Sequence, residues 1–378
     1  MAAVVTRPVK AGFQVDQLWF SAPGGIGTYV RELPPALAAE GGVDLTLFHC
    51  RFPDAGPSWL SGFATMEIPG PIRTLYPQWN AFGRPKLPPS FDALQVVHAT
   101  NPASVPPVRK GQALVVTVHD LAFEHHPELF PTSWRWLYRA GIRAAVKRAA
   151  AILVPTRTTA DDLLLRHDLD PDRVHVTSLG ASLPAASTDP GAALERLGLS
   201  GPYVLSVGTQ EPRKNLVRLL RAYRQVAPEV PHALVLAGAE GWGNDELRLE
   251  LERPGAGTIV RTGHVTEEDL DALYRGADAF AYLSLYEGFG LPVVEALARG
   301  VPTVASNTSS LPEVTGDAAV LVDPEDVGEI ADALARVLTD RDVADDLRRR
   351  GPERAAGFTW RATARATLDA YRAAMGAA

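Results

Sequence analysis

Apolar positions along this chain follow two alternating rhythms. Short runs such as "VDLTLFH", "LQVVH", "ALVVTVH" and "AILVP" in the first half, and "YVLSVG", "ALVLAG", "TIVRTG" and "DAFAYLS" in the second, read as strands. Between them lie longer stretches whose apolar residues recur at helical spacing. In "NLVRLLRAYRQVA", Leu216, Leu219, Leu220, Tyr223 and Val226 form one stripe. In "HVTEEDLDALYRGAD", Thr266 predicts an N-cap with Asp269 three residues on, and Leu270, Leu273 and Tyr274 face inward. Strand and helix in alternation mean βαβ units, and near-continuous apolar strands are those buried on both faces of parallel sheets. One segment resists: "GTYVRELPPALAAEG" has Tyr29, Val30, Leu33 and Leu37 at helical spacing, yet Pro34 and Pro35 remove donors and predict a break or kink.

The length of 378 residues exceeds what one compact core holds, so two doubly wound domains are expected. The stretch "SLGASLPAASTDPGAALERLGLSGP" is rich in small residues, proline and glycine, which puts a linker near Ser182 to Pro190. Residues 1–185 then form an amino-terminal domain and 186–358 a carboxy-terminal one. A net charge of −7 argues against general affinity for nucleic acid. The single cysteine, Cys50, cannot close an internal disulfide and reads as a small buried hydrophobe. The leading residues "MAAVVTRPVKAG" lack the apolar core of a secretory signal, so a reducing cytoplasm is the expectation. No apolar run approaches the ~18 residues of a bilayer span, which leaves only peripheral membrane contact.

Candidate chemistry gathers where strands end. In "YEGFGLPVVE" the acids Glu287 and Glu295 flank Gly288, Gly290 and Pro292, which rule out one continuous helix. The stretch reads as a glycine loop after a strand, then a helix from about Pro292 to Gly300, with Glu287 on the loop and Glu295 in the first turn. Such a helix start exposes unpaired N–H groups and favours negative charge, so it can hold a phosphate or a sugar hydroxyl. The competing reading makes Glu295 a dipole partner and Glu287 a solvated acid.

"VGTQEPRKNL" likewise follows a strand and leads into a helix, with Arg213 and Lys214 where that helix begins. Two cations there oppose the dipole, and a diphosphate would compensate them; Glu211 could do so in part. "SAPGGIGTYVREL" places Gly24 to Gly27 at the start of the first helix, a weak signal by itself. His119 and Asp120 end "ALVVTVH", at the carboxyl edge where open α/β sheets place ligands.

At these residues the chain resembles the retaining glycosyltransferases of family four, which have the GT-B fold: two Rossmann-like domains facing across a cleft. "YEGFGLPVVEALARGVPTVASNTSSLPEV" resembles the family's E-x7-E signature, and "VGTQEPRKNL" its phosphate-binding motif. "GGIGTYVREL" and "TVHDLAFEHHPELFP" resemble the amino-terminal signatures, the latter those of mannosyltransferase-like members that build polysaccharides. The resemblance implies that Arg213 and Lys214 neutralise the departing donor diphosphate and that Glu287 hydrogen-bonds the transferred sugar. It implies that the Gly288 loop, with the N–H groups of Phe289, Gly290 and Leu291, holds sugar and phosphate. Glu295 would hold the ribose, and Gly263 and His264 would border the base. Gly25 and Gly27 would approach the diphosphate and His119 the reacting sugar. Asp120, His125 and His126 read separately as loop residues near the acceptor. The final segment, 359–378, would cross back to the amino-terminal domain. No cofactor is implied beyond the donor, GDP-mannose ahead of a UDP-sugar. Two positions depart from the family's pattern: Thr209 stands where an arginine is usual, and Pro34-Pro35 interrupts the first helix.

Rival readings are few. "HDLDPD" contains a D-x-D, but Pro171 makes it a solvated turn, and the sequence supplies no further ligands beside the adjacent His125 and His126 for a metal site. In "TSWRWLYRAGIRAAVKRAA", Arg135, Arg139, Arg143 and Lys147 recur every four residues, which suits either an ordinary solvated helix face or peripheral docking of residues 132–149 on anionic lipid. A sugar-nucleotide epimerase, a glycosyl phosphorylase or a silent nucleotide-sugar-binding protein could share the architecture.

Overall fold

The structure, a computed structural model, describes residues 7–20, 24–182 and 190–377. Most of the expected linker, 183–189, and the residues 21–23 that lead into the first glycine loop lie outside the described residues. The chain divides into two compact units, one running to Leu179 and resuming at Trp360, the other spanning Gly180–Thr359.

Among the described residues, the amino-terminal unit is built on seven strands: β1 (Val9–Gln14), β2 (Val43–Cys50), β3 (Ala64–Ile68), β4 (Val96–Ala99), β5 (Ala113–Thr117), β6 (Ala151–Val154) and β7 (Val174–Val176). They pair in parallel in the order β3-β2-β1-β4-β5-β6-β7. β4, β5 and β6 are buried throughout, as the unbroken apolar runs require. The final helix, Trp360–Ala377, belongs to this unit and buries Leu368, Tyr371 and Ala374 in it.

The helix Gly24–Glu40 continues unbroken through Pro34 and Pro35, so of the expected break or kink the break does not occur. Each proline removes a ladder hydrogen bond, at a cost of about 3 kcal/mol. Against that, Tyr29, Val30, Leu33 and Leu37 are all fully buried, and burial of such side chains contributes roughly 1.5–3 kcal/mol apiece. Packing of one whole stripe overrides the local preference.

The carboxy-terminal unit has, among the described residues, six parallel strands: β8 (Tyr203–Val207), β9 (Ala233–Ala237), β10 (Ile259–Gly263), β11 (Ala279–Tyr282), β12 (Thr303–Ser306) and β13 (Val320–Val322). Their order is β10-β9-β8-β11-β12-β13. Direction of winding reverses between β8 and β11, and open α/β sheets bind ligands at that switch point, beyond the strands' carboxyl ends. The loops after β8 and after β11 are the two that carry the phosphate-like and the two-glutamate motifs. Beneath them, Val204, Leu236, Ala281 and Val304 pack under the helices Leu216–Val226 and Val327–Thr339.

Candidate active site

Arg213 and Lys214 lie in a 3-10 turn, Pro212–Lys214, and the helix itself starts only at Leu216. The cations are therefore not at a helix start, and the sequence expectation is corrected on that point. Asn215 turns the chain with φ of 57°. Its side-chain amide donates to the carbonyls of Leu283 (3.1 Å) and Pro324 (2.7 Å), which ties the turn to the β11 loop. The Leu285 N–H donates to the Arg213 carbonyl at 2.9 Å, so the two motif loops are joined through backbone.

Protein acids supply the compensation that the two cations require. Lys214 Nζ is 2.6 Å from Glu287 Oε1, and Arg213 Nη1 is 2.8 Å from Glu287 Oε2. Arg213 also donates through Nη2 to Glu211 Oε1 (2.7 Å) and through Nη1 to the Tyr286 carbonyl (2.8 Å). Tyr282, at the end of β11, stands between the charges: its hydroxyl accepts from Lys214 (2.7 Å) and donates to Glu287 (3.1 Å). Glu287 is only 7% exposed. Burial pushes its carboxyl up, but the Arg213 and Lys214 charges outweigh burial and hold it down at about 2. Burial likewise opposes the charge on Lys214, and Glu287 reverses the balance, so its ammonium titrates above the ordinary lysine value. Burial and the Glu287 charge push Tyr282 up to about 12, so it stays a neutral donor.

The loop backbone is fixed from its other side. The Glu287 N–H donates to Ser309 Oγ (2.9 Å) and Ser310 Oγ donates to the Glu287 carbonyl (2.8 Å). Phe289 is buried with its ring edge-on to Phe358, 5.4 Å between centroids. Gly290 has φ of 94°, and a Cβ there would come within 2.7 Å of Leu311, so this turn requires glycine. The helix that follows is Leu291–Ala298. The N–H groups of Phe289, Gly290 and Leu291 donate to nothing among the described residues, and Pro292 has none to donate. That leaves three donors at the positive end of a helix, two to four residues along the chain from the Glu287 that both cations contact.

Glu295 is the fifth residue of that helix, past the first turn where the sequence placed it, because the helix begins at Leu291. Its Oε2 accepts from the Tyr274 hydroxyl at 3.0 Å. Arg299, over the Tyr274 ring at 5.0 Å, is held by Asp271 at 2.7 Å. Gly263 closes β10 with φ of 69°, and His264 beyond it is exposed. Thr209 follows Gly208 in the β8 loop, half-buried.

In the amino-terminal unit, Gly25 is exposed and Gly27 buried in the first turn of the Gly24–Glu40 helix. His119 Nε2 donates to the Thr100 carbonyl (2.9 Å), which leaves Nδ1 as the acceptor, and Tyr29 meets the ring edge-on at 4.9 Å. Burial pulls its pKa down, against the Thr100 bond and Asp120. Asp120 Oδ1 accepts from the Ala122 N–H (3.0 Å), just ahead of the short helix Ala122–His125. His125 is held between Asp162 (2.6 Å) and Arg166 (3.0 Å), and His126 lies 3.4 Å from Glu128. The expected D-x-D is an ordinary turn in which Asp170 Oδ1 accepts from the Asp172 N–H at 3.0 Å. Among the described residues, no group of three His, Cys, Asp or Glu side chains is placed to hold a metal ion.

Arg213, Lys214 and Glu287 are thus brought into direct contact, and Phe289 to Leu291 adjoin them in sequence. Tyr282, Ser309 and Ser310 completed this cluster without having been marked from sequence. Tyr282 carried one usable signal, a hydroxyl-bearing residue at the last position of an apolar strand.

The chain is similar to known proteins over most of its length. A family model described as glycosyl transferases group 1 matches residues 195–354, and one described as glycosyltransferase family 4 matches residues 23–183. An O-antigen chain mannosyltransferase B of Escherichia coli is 35% identical over 265 residues, which are 68% of this chain and 70% of that protein. A serotype-specific mannosyltransferase, WbdA, also of Escherichia coli, is 31% identical over 238 residues, 60% of this chain but 29% of its own length. Among solved structures, a sucrose-phosphate synthase from Thermosynechococcus elongatus superposes with a TM-score of 0.75 at 22% identity, covering 99% of this chain and 100% of that one.

Proposed function

This chain belongs to the group 1 and family 4 glycosyltransferases, on a GT-B fold, and from that premise we propose that it moves a hexose, mannose from GDP-mannose, onto a hydroxyl of a glycan, lipid-linked or small-molecule acceptor. Transfer retains anomeric configuration and uses neither metal nor a further cofactor. The observation that supports this reading is the buried cluster of Arg213, Lys214 and Glu287 beside the unpaired N–H groups of Phe289, Gly290 and Leu291. The relatives named as mannosyltransferases support the choice of sugar.

In this reading the bond between the anomeric carbon and the diphosphate breaks, positive charge grows on the sugar, and negative charge grows on the leaving group. Both need fixed partners. Lys214 has three N–H donors, two of them used by Tyr282 and Glu287, and the third serves a phosphate oxygen. The three backbone N–H groups and the helix start hold the rest of the diphosphate. Glu287 remains ionised, orients both cations and accepts from a hydroxyl of the transferred sugar. Glu295 takes the ribose and the Gly263-His264 turn borders the base. His119, with Nδ1 as acceptor, is assigned to the reacting sugar, Gly25 and Gly27 to the diphosphate, and Asp120, His125 and His126 to the acceptor. Among the described residues no helix is long and apolar enough to cross a membrane. A cytoplasmic location with peripheral contact through residues 132–149 completes the proposal.

Thermal-shift titration against GDP-mannose, GDP, UDP-glucose and UDP tests the donor, since a ligand of the folded state raises stability with its affinity. GDP-mannose should give the largest shift; a larger shift with UDP-glucose overturns that choice. Transfer that survives EDTA supports the metal-free reading, and its loss rejects it. Turnover of the donor without any acceptor would point instead to an epimerase.

A further inference from the structure

Two packed elements of the amino-terminal unit carry cations with no acid among them. The helix Ile72–Phe82 and the turn after it hold Arg73, Arg84 and Lys86. The helix Thr132–Arg148 holds Arg135, Arg139, Arg143, Lys147 and Arg148. No Asp or Glu occurs between residues 72 and 88 or between 132 and 149, in a chain whose net charge is −7. Asn80 donates to the Leu137 carbonyl (3.4 Å) and Arg148 to the Trp79 carbonyl (3.0 Å), which fixes one helix against the other.

Trp136, Arg139, Arg143 and Lys147 recur every three or four residues, so they share one line of the helix, and all four are exposed. Phe82, at the end of the neighbouring helix, is 76% exposed and Trp136 is 53% exposed. An open groove of about 460 Å³ runs between them, lined by Phe82, Trp136, Arg143 and Lys147. Arg84, Lys86, Arg139, Arg143 and Lys147 have no ion-pair partner among the described residues. A solvated helix face ordinarily mixes both signs of charge and hides its large aromatics. This surface does neither.

We propose that the surface formed by residues 72–86 and 132–147 docks on a bilayer containing anionic lipid. Phe82 and Trp136 enter the headgroup region, where aromatic side chains are favoured, while Arg143 and Lys147 meet lipid phosphates across the groove. The inference rests on the peripheral-contact part of the proposed function, gives it a second element and a headgroup site, and does not depend on the transfer reaction.

Co-sedimentation of the full chain with phosphatidylcholine vesicles, with and without phosphatidylglycerol, tests it. Binding should require phosphatidylglycerol and weaken with added salt. Arg143→Gln with Lys147→Gln should lower partitioning by about 30-fold, since each cation near an anionic surface contributes roughly a fivefold factor. Phe82→Ser with Trp136→Ser should lower it by roughly tenfold or more at unchanged charge. Equal binding to both vesicle types, or a double-glutamine variant that binds like the parent, overturns the proposal. Thermal melting and donor binding of each variant should be unchanged, because the substituted side chains are exposed. If anion-selective sedimentation persists while no sugar is transferred, the transfer reading alone fails.

Discussion

Lys214 and Glu287 form a buried ion pair at 2.6 Å across the switch point of the carboxy-terminal sheet, with the Tyr282 hydroxyl bonded to both. Their residues are far apart in sequence, one after β8 and one after β11. The pair joins the two motif loops into a single charged surface.

Glu287→Gln should lower transfer by on the order of 100-fold or more, the scale for losing one fixed electrostatic partner of a transition state. Nucleotide binding should change much less, because the cations and loop N–H groups stay in place. Steady-state kinetics beside calorimetric GDP binding separates the two; unchanged turnover would remove Glu287 from contact with the sugar.

Lys214→Ala removes a charge-assisted donor, worth about 1.5–3 kcal/mol, and should weaken binding of GDP by about 10- to 100-fold while sparing guanosine. Equal losses for nucleotide and nucleoside would reject a phosphate role.

Tyr282→Phe deletes the hydroxyl that donates to Glu287 and accepts from Lys214, with the ring retained. Loss of a buried hydrogen-bond partner costs about 1–3 kcal/mol, so turnover should fall roughly tenfold and the melting temperature by several degrees. A variant with wild-type turnover would leave this hydroxyl a purely structural partner.

Two buried groups should shape stability in different pH windows. His98 donates and accepts between Tyr371 (2.7 Å) and Thr117 (2.7 Å), and burial pulls its pKa down to about 3. A folded pKa below the unfolded 6.5 means stability that is present above pH 6.5 and lost as pH falls from there toward 3. Glu287, held at about 2, contributes stability present above its ordinary 4.5 and lost as pH falls from 4.5 toward 2. Urea unfolding across pH should therefore show a shallower decline between pH 6.5 and 4.5 in His98→Gln, and below pH 4.5 in Glu287→Gln. Parallel curves for variants and parent would overturn both assignments.

Much of this arrangement was legible along the chain. The eight strand runs read from sequence are strands, and Thr266 caps its helix by accepting from the Asp269 N–H at 3.1 Å. These features are local, set by apolar period and by side chains bonding their own backbone. β3, β7 and β13 are short or half-exposed and carry little periodic signal, whereas β1 and β12 are buried strands that the sequence reading did not include.

By itself, the sequence determined the alternation of strand and helix, the glycine loops at strand ends, and which residues of those loops bear charge. Only tertiary structure decided which of them meet. A charge read from sequence has no partner until strand order is known. Here the reversal between β8 and β11 brings Arg213 and Lys214 onto Glu287, so a neutralisation that the chain left open to a diphosphate is supplied first by a carboxylate. The same cause explains Pro34 and Pro35: local rules forbid their helix, and the burial of Tyr29, Leu33 and Leu37, a property of the folded unit alone, sustains it.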